Sequence, residues 1–565
     1  MRKGVLIAGI AAAILYSPYA SAQKSTPGYK IVKKITVSNG AVVSAHPLAS
    51  EAGAAILQQG GNAVDAAIAT QYALAVVYPN AGNLGGGGFM VVHTAAGADA
   101  AFDYRETAPR LAGRDMYLDK SGNADSRKSL DGHLAAGVPG TVAGLFLSHR
   151  EFGSLPMEKL IEPAIQLASR GFVITAREAA GLNSHRDEFI RFNTVRPAFV
   201  KDTPWKTGDT LKQPDLARTL ELIRDKGEAG FYKGKTARLI AAEMKRGNGI
   251  ISRRDLRKYK AVKRDPVRFN YKGYQVVTMP LPSSGGIMLQ QMLGMLSAYP
   301  IEKYGYGSPE AMQLMIEIER RSYADRTQYM GDPDFVKVPV RQLTDKDYLK
   351  NRMAGYSPDK ATPSTDIAAG SFPEHEETTH LSVYDKEGNA VSVTTTLNGS
   401  YGCRVVAGNT GFLLNNEMDD FSAKPGASNM YGLLGTEANS IAPGKRMLSS
   451  MTPTIVLKDK KPCLVAGTPG GSTIITSVFQ TLVNVLDFGL SVEDAVNNPK
   501  FHHQWQPDVI YIEKGFPPAT LKKLESMGYK LVNRASIGRT EVIQIRNGRI
   551  EAVADSRGDD SAAGY

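Results

Sequence analysis

The chain has 565 residues, 42% of them hydrophobic, and 67 Lys and Arg against 56 Asp and Glu give it a formal net charge of +11. This composition is typical of a globular protein with a substantial core and excludes a disordered chain. The sequence contains no concentrated basic helix and no platform of interleaved basic and aromatic residues, so we do not expect nucleic acid as a partner. Two cysteines are too few for a disulfide scaffold, and we expect Cys403 and Cys463 to be unconnected thiols.

The first 22 residues have the pattern of a secretory signal peptide. Arg2 and Lys3 precede an apolar run at residues 4–16, and Ala20-Ser21-Ala22 forms a small-x-small cleavage site. The run is shorter than the about 20 apolar residues that a membrane helix needs, and no later segment reaches that length. We therefore expect cleavage after Ala22 and an exported protein, periplasmic or secreted, without a membrane span.

Helical and strand-like patterns alternate along the rest of the chain. Gly60-Gly61 stops the first predicted helix, and Asn62 has the side chain to cap the second. The predicted helices are Ser50–Gln59, Ala63–Tyr78, Glu158–Arg170, Pro214–Lys226, Ala237–Arg246, Pro309–Tyr323 and Ile474–Leu486. The predicted strands are Ala41–Ser44, Phe89–His93, Tyr274–Met279, Thr454–Leu457 and Val542–Ile545.

Residues 360–377 combine prolines, serines and threonines with a final acidic run, which is typical of an exposed linker. A strand pattern begins directly after this linker. A mobile segment that runs into the start of a strand is a suitable place for the chain to be cut.

Residues 378–384 and 390–398 alternate in polarity around a short loop, which predicts a β-hairpin. Only one register keeps the apolar side chains on one face, because a slip of one residue would set Leu381 against Thr394. In that register Thr378 lies opposite Thr396, and Asn398 lies one step further along the same face. Two hydroxyl groups and an amide therefore converge at the start of the first strand. A Thr-rich face is also typical of hairpins for strand propensity alone.

Short blocks in a fixed order extend over almost all of the chain after the signal peptide. They are Gly82–Phe89, Tyr104-Arg105-Glu106, Ala136–Gly140, Pro282–Gly286, Thr378-Thr379-His380, Gly388–Val393, Thr396-Leu397-Asn398, Leu414–Phe421, Leu448–Thr454 and Thr468–Ser472. Together these blocks are similar to those of the gamma-glutamyltransferases, which are N-terminal nucleophile hydrolases. The resemblance implies an α+β fold, namely a four-layer αββα sandwich of two intertwined subunits cut from one precursor, and it implies no metal and no organic cofactor.

The resemblance also implies how the nucleophile arises. In this class the hydroxyl of a threonine is activated by the α-amine of the same residue, which stays bound in a peptide until the chain breaks before it. The precursor would therefore cleave itself between Glu377 and Thr378 into a large subunit, residues 23–377, and a small catalytic subunit, residues 378–565. Thr378 would then attack the γ-glutamyl amide of glutathione or of another γ-glutamyl compound. The acyl group would pass to water or to an amino-acid or peptide acceptor.

The same resemblance assigns groups to the free amino-acid head of the substrate. Arg105 resembles a clamp for the carboxylate, since a planar guanidinium group gives two parallel charged hydrogen bonds. Ser449 and Ser450 resemble hydroxyl partners of that carboxylate. The residues that resemble acceptors for the ammonium group are Asn398, Glu417 and Asp420.

Three further positions belong to the implied site. Thr396 resembles the group that orients Thr378 and also contacts the substrate. Gly470 and Gly471 precede a predicted buried helix, so their N–H groups are expected to bind the substrate and its oxyanion, although Gly-Gly also suits a plain tight turn. Residues 425–436, which include Tyr431, match a lid loop.

Two other hydrolase types have weaker signals in the sequence. A zinc peptidase is suggested by His375-Glu376, but His380 follows five residues after His375 instead of four. His502-His503 also suggests a metal, although we expect these two side chains at the surface. A serine hydrolase is suggested by Ser400, but Asn398 stands where the first glycine of G-x-S-x-G is needed.

Two alternatives keep the same scaffold. An exported amino-acid-binding protein could use Arg105, Glu417 and Asp420 without turnover, and it would remain one intact chain. A related acylase, similar to the cephalosporin acylases, would act on side-chain amides. Arg105 and the Ser449-Ser450 pair argue against the acylase, because such a substrate has no α-carboxylate to hold.

Overall fold

The computed structural model describes residues 28–367, 378–424 and 426–565, so the predicted signal peptide and Glu377 lie outside the described residues. In chain order the strands are β1 Lys34–Val37, β2 Ala41–Ser44, β3 Gly87–His93, β4 Asp99–Asp103, β5 Phe172–Val173, β6 Thr210–Leu211, β7 Val262–Arg264, β8 Val267–Tyr271, β9 Tyr274–Thr278, β10 Thr379–Tyr384, β11 Ala390–Thr396, β12 Thr454–Lys458, β13 Lys461–Gly467, β14 Phe501–His502, β15 Ile510–Ile512, β16 Leu531–Asn533, β17 Glu541–Arg546, β18 Arg549–Val553 and β19 Ser561–Gly564.

The helices are α1 Pro47–Gln58, α2 Ala63–Val77, α3 Ser126–Leu130, α4 Thr141–Phe152, α5 Met157–Arg170, α6 Ala176–Ser184, α7 Arg186–Phe192, α8 Pro214–Lys226, α9 Ala229–Tyr232, α10 Gly234–Arg246, α11 Arg253–Lys258, α12 Gly285–Leu296, α13 Pro309–Tyr329, α14 Val340–Leu343, α15 Lys346–Arg352, α16 Thr473–Leu486, α17 Val492–Asn497 and α18 Pro518–Ser526. Every predicted helix and strand is present; Ala41–Ser44 and Pro214–Lys226 have the predicted bounds, and the others have shifted ends. The largest difference is α13, which continues to Tyr329 instead of ending at Tyr323.

Two seven-stranded sheets form the centre of the molecule. Their strand orders are β1-β18-β17-β13-β12-β9-β8 and β19-β2-β10-β11-β3-β4-β7, and all neighbours in both sheets are antiparallel. The hairpin β10–β11 lies in the middle of the second sheet, between β2 and β3. Both seven-stranded sheets combine strands from before and after the linker at residues 360–377, so neither half of the chain forms either of these two sheets alone.

Alternation along the strands determines the layers. In β3, Met90 and Val92 belong to the core that also contains α1 and α2, whereas Phe89 and Val91 belong to the core between the two sheets. In β13, Val465 faces that same inter-sheet core, while its neighbours pack with α12, α13 and α16 on the far side. The order of helices, sheet, sheet and helices confirms the four-layer αββα sandwich. The middle of β3, residues 89–92, is buried on both faces and is continuously apolar.

The local sequence explains the start of α2. The Asn62 side chain accepts hydrogen bonds from Val64 N and Asp65 N, and the Asp65 side chain accepts one from Asn62 N, which completes a capping box. The helix runs buried behind β10 and β11 and supports them.

Two expectations about the whole chain can be compared with the described residues. Cys403 and Cys463 are free thiols, as predicted, and burial raises their pKa values to about 12 and about 11. In the part of the chain that the structure describes, no helix is long and apolar enough to cross a membrane.

Candidate active site

The hairpin has the predicted register. Leu381 pairs with Val393 and Thr379 with Thr395, so one further step sets Thr378 opposite Thr396. The apolar face, including Leu381 and Val393, packs into the core with α2. The sequence pattern alone was sufficient here, because only this register buries all the apolar side chains.

The polar face of the hairpin joins the two sheets. Ser382 Oγ donates to Glu541 O at 3.0 Å, and Ser392 Oγ donates to Ala466 O at 3.1 Å. Between them His380 is fully buried, with its ring nitrogens 2.9 Å from Thr394 Oγ1 and 3.1 Å from Ser382 Oγ. Burial lowers the pKa of His380 to about 3, so the ring is neutral. The polar face is thereby fixed rigidly behind Thr378.

The open end of this hairpin leads into a narrow cleft. Thr378 is only 3% exposed, and its hydroxyl makes no hydrogen bond within the described part of the chain. Of the sequence-predicted residues, the cleft brings together Arg105, Thr378, Thr396, Asn398, Glu417, Asp420, Tyr431, Ser449, Ser450 and Gly471. Gly470 adjoins the lining without belonging to it.

Arg105 is buried and paired with two of the predicted ammonium acceptors. Its Nη1 lies 2.5 Å from Glu417 Oε2, and its Nη2 donates to Asp420 Oδ2. The backbone carbonyl groups of Met447 and Leu448 accept two further hydrogen bonds, each at 3.3 Å. The guanidinium group is therefore held in one orientation at the wall of the cleft. The sequence indicated the residues but not this direct pairing.

A third carboxyl group adjoins this cluster. Glu106 Oε2 lies 3.8 Å from Arg105 Nη1, and Glu106 is completely buried. Burial raises the pKa of Glu106 to about 8, while Arg105 opposes the shift. Burial likewise raises the pKa values of Glu417 and Asp420, again opposed by Arg105. One guanidinium group thus compensates only part of the negative charge of the three acids.

The Ser449-Ser450 segment is held by the loop before α12. Ser449 N donates to Pro282 O at 2.9 Å, and Ser284 donates to Ser449 O from both its amide and its hydroxyl, at 2.9 Å and 2.8 Å. The sequence block Pro282–Gly286 therefore has a structural role, which the sequence analysis did not assign.

Arg326 is a cleft residue that the sequence analysis missed. It lies on α13, three residues beyond the predicted end of that helix, is 3% exposed and lines the cleft. Its Nε donates to Ser284 Oγ at 3.0 Å and its Nη2 to Ser450 Oγ at 3.1 Å. The absence of Gly or Pro between Tyr323 and Tyr329 was the available signal that the helix continues.

Asn398 and Tyr431 close the cleft from the side of the predicted lid. The Asn398 amide donates to Thr396 Oγ1 at 2.7 Å, and Asn398 O accepts from Tyr431 Oη at 2.7 Å. Asn429 Nδ2 donates to Asp420 Oδ1 at 2.9 Å, which ties the same loop to the acidic cluster. The loop is therefore seen closed, with Tyr431 only 4% exposed.

Gly470 and Gly471 form the turn into α16. Both have positive φ, at 135° and 52°, and their amides make no hydrogen bond within the described residues. A Cβ on Gly471 would lie 2.5 Å from two ring carbons of Tyr431. The turn thus presents two N–H groups at the start of a buried helix, where the helix dipole favours negative charge.

The histidine patterns that suggested a metal site in the sequence can be compared with the described residues. No group of three or more His, Cys, Asp or Glu within the described ranges is arranged to hold a metal ion. His375 and Glu376 lie outside those ranges, and His380 is in a strand. The surface placement expected for His502 and His503 was wrong: both are fully buried.

Local hydrogen bonds explain why these histidines are tolerated inside. His502 contacts Thr476 Oγ1 and Gln504 Oε1 at 2.8 Å each, and His503 Nε2 lies 3.3 Å from Asp508 Oδ1. Burial lowers their pKa values to about 3 and about 4. The sequence places Gln504 and Asp508 nearby, but hydropathy alone does not indicate that they are buried together with the histidines.

Comparison with known proteins agrees with the geometry. The sequence model of the gamma-glutamyltranspeptidase family matches residues 49–565. The glutathione hydrolase proenzyme of Escherichia coli (strain K12) is 50% identical over 537 residues, covering 94% of this chain and 93% of that protein.

Solved structures give the same result. The gamma-glutamyltranspeptidase of Helicobacter pylori is 45% identical with a TM-score of 0.57, over 57% of this chain and 94% of that chain. A cephalosporin acylase from Bacillus halodurans has a TM-score of 0.84 at 24% identity, over 98% and 99% of the two chains, which is a likeness of fold.

Proposed function

The chain belongs to the gamma-glutamyltranspeptidase family, and we propose that Thr378 is its nucleophile, released when the precursor cleaves itself between Glu377 and Thr378. The protein is a γ-glutamyltransferase and glutathione hydrolase, which takes the γ-glutamyl group from glutathione or related compounds. The observation that carries the assignment of the site is the position of Thr378. Its hydroxyl, which makes no hydrogen bond to any described residue, lies in one cleft with the groups that suit an amino-acid head.

The nucleophile is activated by cleavage. A threonine hydroxyl is weakly nucleophilic until a base takes its proton, and the freed α-amine of Thr378 is that base. The hydroxyl oxygen then attacks the γ-carbonyl carbon, and the leaving amine receives the proton. Thr396 lies opposite in the register and steadies the strand start through its hydrogen bond with the Asn398 amide.

The amino-acid head of the substrate is held by opposite charges. Its carboxylate faces Arg105 and the Ser449-Ser450 pair, and its ammonium faces Asn398, Glu417 and Asp420. Because Arg105 already pairs with Glu417 and Asp420, the arriving zwitterion replaces part of an existing ion-pair network, and its ammonium group meets the negative charge that Arg105 leaves uncompensated. This arrangement favours a head that carries both charges over one that carries a single charge.

The oxyanion of the tetrahedral intermediate is bound by the amides of Gly470 and Gly471. Preorganised donors of this kind are worth about 3–4 kcal/mol each in the transition state. The closed loop with Tyr431 limits the access of water, so opening of this lid sets the division of the γ-glutamyl-enzyme between hydrolysis and transfer to an amino acid or peptide.

The remaining parts of the proposal concern processing and location. Cleavage after Ala22 and before Thr378 gives a large subunit, residues 23–377, and a small subunit, residues 378–565. The N-terminal pattern supports export to the periplasm or the medium. Neither cleavage requires a cofactor.

Replacing Thr378 by alanine tests the double role of this residue. We expect a single uncut chain that releases no 4-nitroaniline from γ-glutamyl 4-nitroanilide. Thr379→Ala is the matched control, because Thr379 lies on the opposite face of β10 and its buried hydroxyl has no hydrogen-bond partner in the described residues. It should be processed and active. Normal cleavage of Thr378→Ala at the same bond, shown by N-terminal sequencing, would refute the proposal.

A further inference from the structure

Arg326 is a buried cation with an unusual environment. Only 3% of it is exposed, yet it forms no ion pair with any described residue, whereas Arg320 and Arg321 on the same helix pair with acids. Asp420 compensates its charge only from a distance, and a buried guanidinium group without a carboxylate in direct contact is costly unless an anion arrives in function. Arg326 lines the cleft, so a bound anion there lies within its reach.

The hydrogen bond from Arg326 determines the direction in which the Ser450 hydroxyl can donate. Arg326 Nη2 donates to Ser450 Oγ at 3.1 Å, so the hydroxyl oxygen already accepts a charged hydrogen bond. The Ser450 proton must then point to another acceptor, and within the described residues it has none. Donation by a cation also polarises the O–H group and strengthens it as a donor. The hydroxyl is thus prepared for an anionic acceptor in the cleft.

Arg326 is itself fixed from behind. Its Nε donates to Ser284 Oγ at 3.0 Å, and that hydroxyl donates to Ser449 O at 2.8 Å. The chain of contacts runs from α13 through Ser284 to the backbone beside Ser450. A single guanidinium group therefore connects the helix, the loop before α12 and the carboxylate-binding segment.

We propose that Arg326 is a positioning residue, which directs the Ser450 hydroxyl to the α-carboxylate of the γ-glutamyl substrate. This inference rests on the proposed function, because it needs that carboxylate in the cleft. Arg326 acts through Ser450 and takes no part in the proton transfers at Thr378. Recognition of the carboxylate then depends on Arg105 directly and on Arg326 indirectly.

The test compares two donors that differ only in the α-carboxylate: γ-glutamyl 4-nitroanilide and 4-aminobutyryl 4-nitroanilide. In Arg326→Met, kcat/KM for the first should fall about ten- to a hundredfold, the range for loss of a charged hydrogen bond. For the second it should stay within about twofold of wild type, because nothing is left for Ser450 to bind. Arg326→Lys, which keeps a charged donor, should recover part of the loss.

A double variant tests the route through Ser450. Arg326→Met combined with Ser450→Ala should be no worse than Ser450→Ala alone, since both changes remove the same directed hydroxyl. Arg321→Lys, on the same helix but paired with Glu317, is the control and should leave the ratio between the donors unchanged. Completed processing into two chains and an unchanged far-ultraviolet circular dichroism spectrum show that each variant is folded.

Three outcomes would overturn the inference. They are an equal loss on both donors, a loss in the double variant equal to the product of the single losses, or an unchanged kcat/KM in Arg326→Met. If Arg326→Met does not fold, Arg326→Lys decides, because it must still lower kcat/KM for the carboxylate-bearing donor more than for the other. If wild-type protein releases 4-nitroaniline from neither donor, the proposed function fails and not merely this inference.

Discussion

Replacing Gly471 by alanine should open the lid. The residue has φ +52°, and an added Cβ would lie 2.5 Å from Cδ1 and Cε1 of the Tyr431 ring. Since the backbone around α16 is buried, the ring and not the backbone has to move. A displaced ring loses the hydrogen bond from Tyr431 Oη to Asn398 O.

The expected loss in the free energy of unfolding has two parts. The left-handed conformation costs an alanine about 1–2 kcal/mol relative to glycine. Loss of the hydrogen bond between Tyr431 and Asn398 adds about 0.5–1.5 kcal/mol. We therefore expect the free energy of unfolding to fall by about 1.5–3.5 kcal/mol in Gly471→Ala. Gly489→Ala is the matched control, because Gly489 has φ +64° with no atom within 4 Å of its added Cβ, and only the first part applies.

Urea unfolding measures the difference, carried out in the uncut Thr378→Ala chain so that the reaction stays unimolecular. In the processed enzyme, Gly471→Ala should also raise the ratio of hydrolysis to transfer to a dipeptide acceptor, because water reaches the acyl-enzyme more easily. In a Tyr431→Ala background, Gly471→Ala should cost only the first part, because the ring and its hydrogen bond to Asn398 are already absent. The reasoning is refuted if Gly471→Ala and Gly489→Ala lose the same free energy of unfolding and give the same ratio of hydrolysis to transfer.

Two further predictions concern charge. Arg105→Lys should raise KM for γ-glutamyl 4-nitroanilide about ten- to a hundredfold, because a lysine cannot meet Glu417 and Asp420 together as the planar fork does; an unchanged KM in steady-state kinetics would contradict this. Because burial lowers the pKa values of His380, His502 and His503 to about 3, 3 and 4, the folded state binds fewer protons than the unfolded state below about pH 6.5. The contribution of these neutral histidines to the free energy of unfolding is complete above pH 6.5 and is lost as the pH falls towards 3. Between those values, urea unfolding of His380→Gln should show a dependence of the free energy of unfolding on pH that is weaker by at most about 1.4 kcal/mol per pH unit. An unaltered slope would show that His380 titrates normally.

The sequence predicted the hairpin and its register because burial leaves one solution. Leu381 and Val393 must share a face, and this alone places Thr378 opposite Thr396. The grouping of the cleft residues came from the family resemblance, since Arg105 and Asp420 are far apart in the chain. Periodicity cannot bring such positions together.

The features that the sequence did not predict are mostly buried polar side chains. The segment after Tyr323 is polar, and a polar run is normally read as the end of an amphipathic helix; here α13 continues and carries Arg326 into the cleft. His502 and His503 were expected outside for the same reason. In each case the side chain is satisfied by specific hydrogen bonds, some to neighbours in the chain such as Gln504 and Asp508 and some to distant residues, and hydropathy does not detect such partners.

The mixed origin of the two sheets has a consequence for refolding. While the chain is whole, β10 and β11 find their places beside β2 and β3 as parts of one molecule, whatever the protein concentration. If the bond before Thr378 is broken as proposed, a denatured molecule becomes two pieces that must meet by diffusion, and dilution disfavours their association. We therefore expect the uncut precursor to refold readily after denaturation and the processed protein to refold poorly.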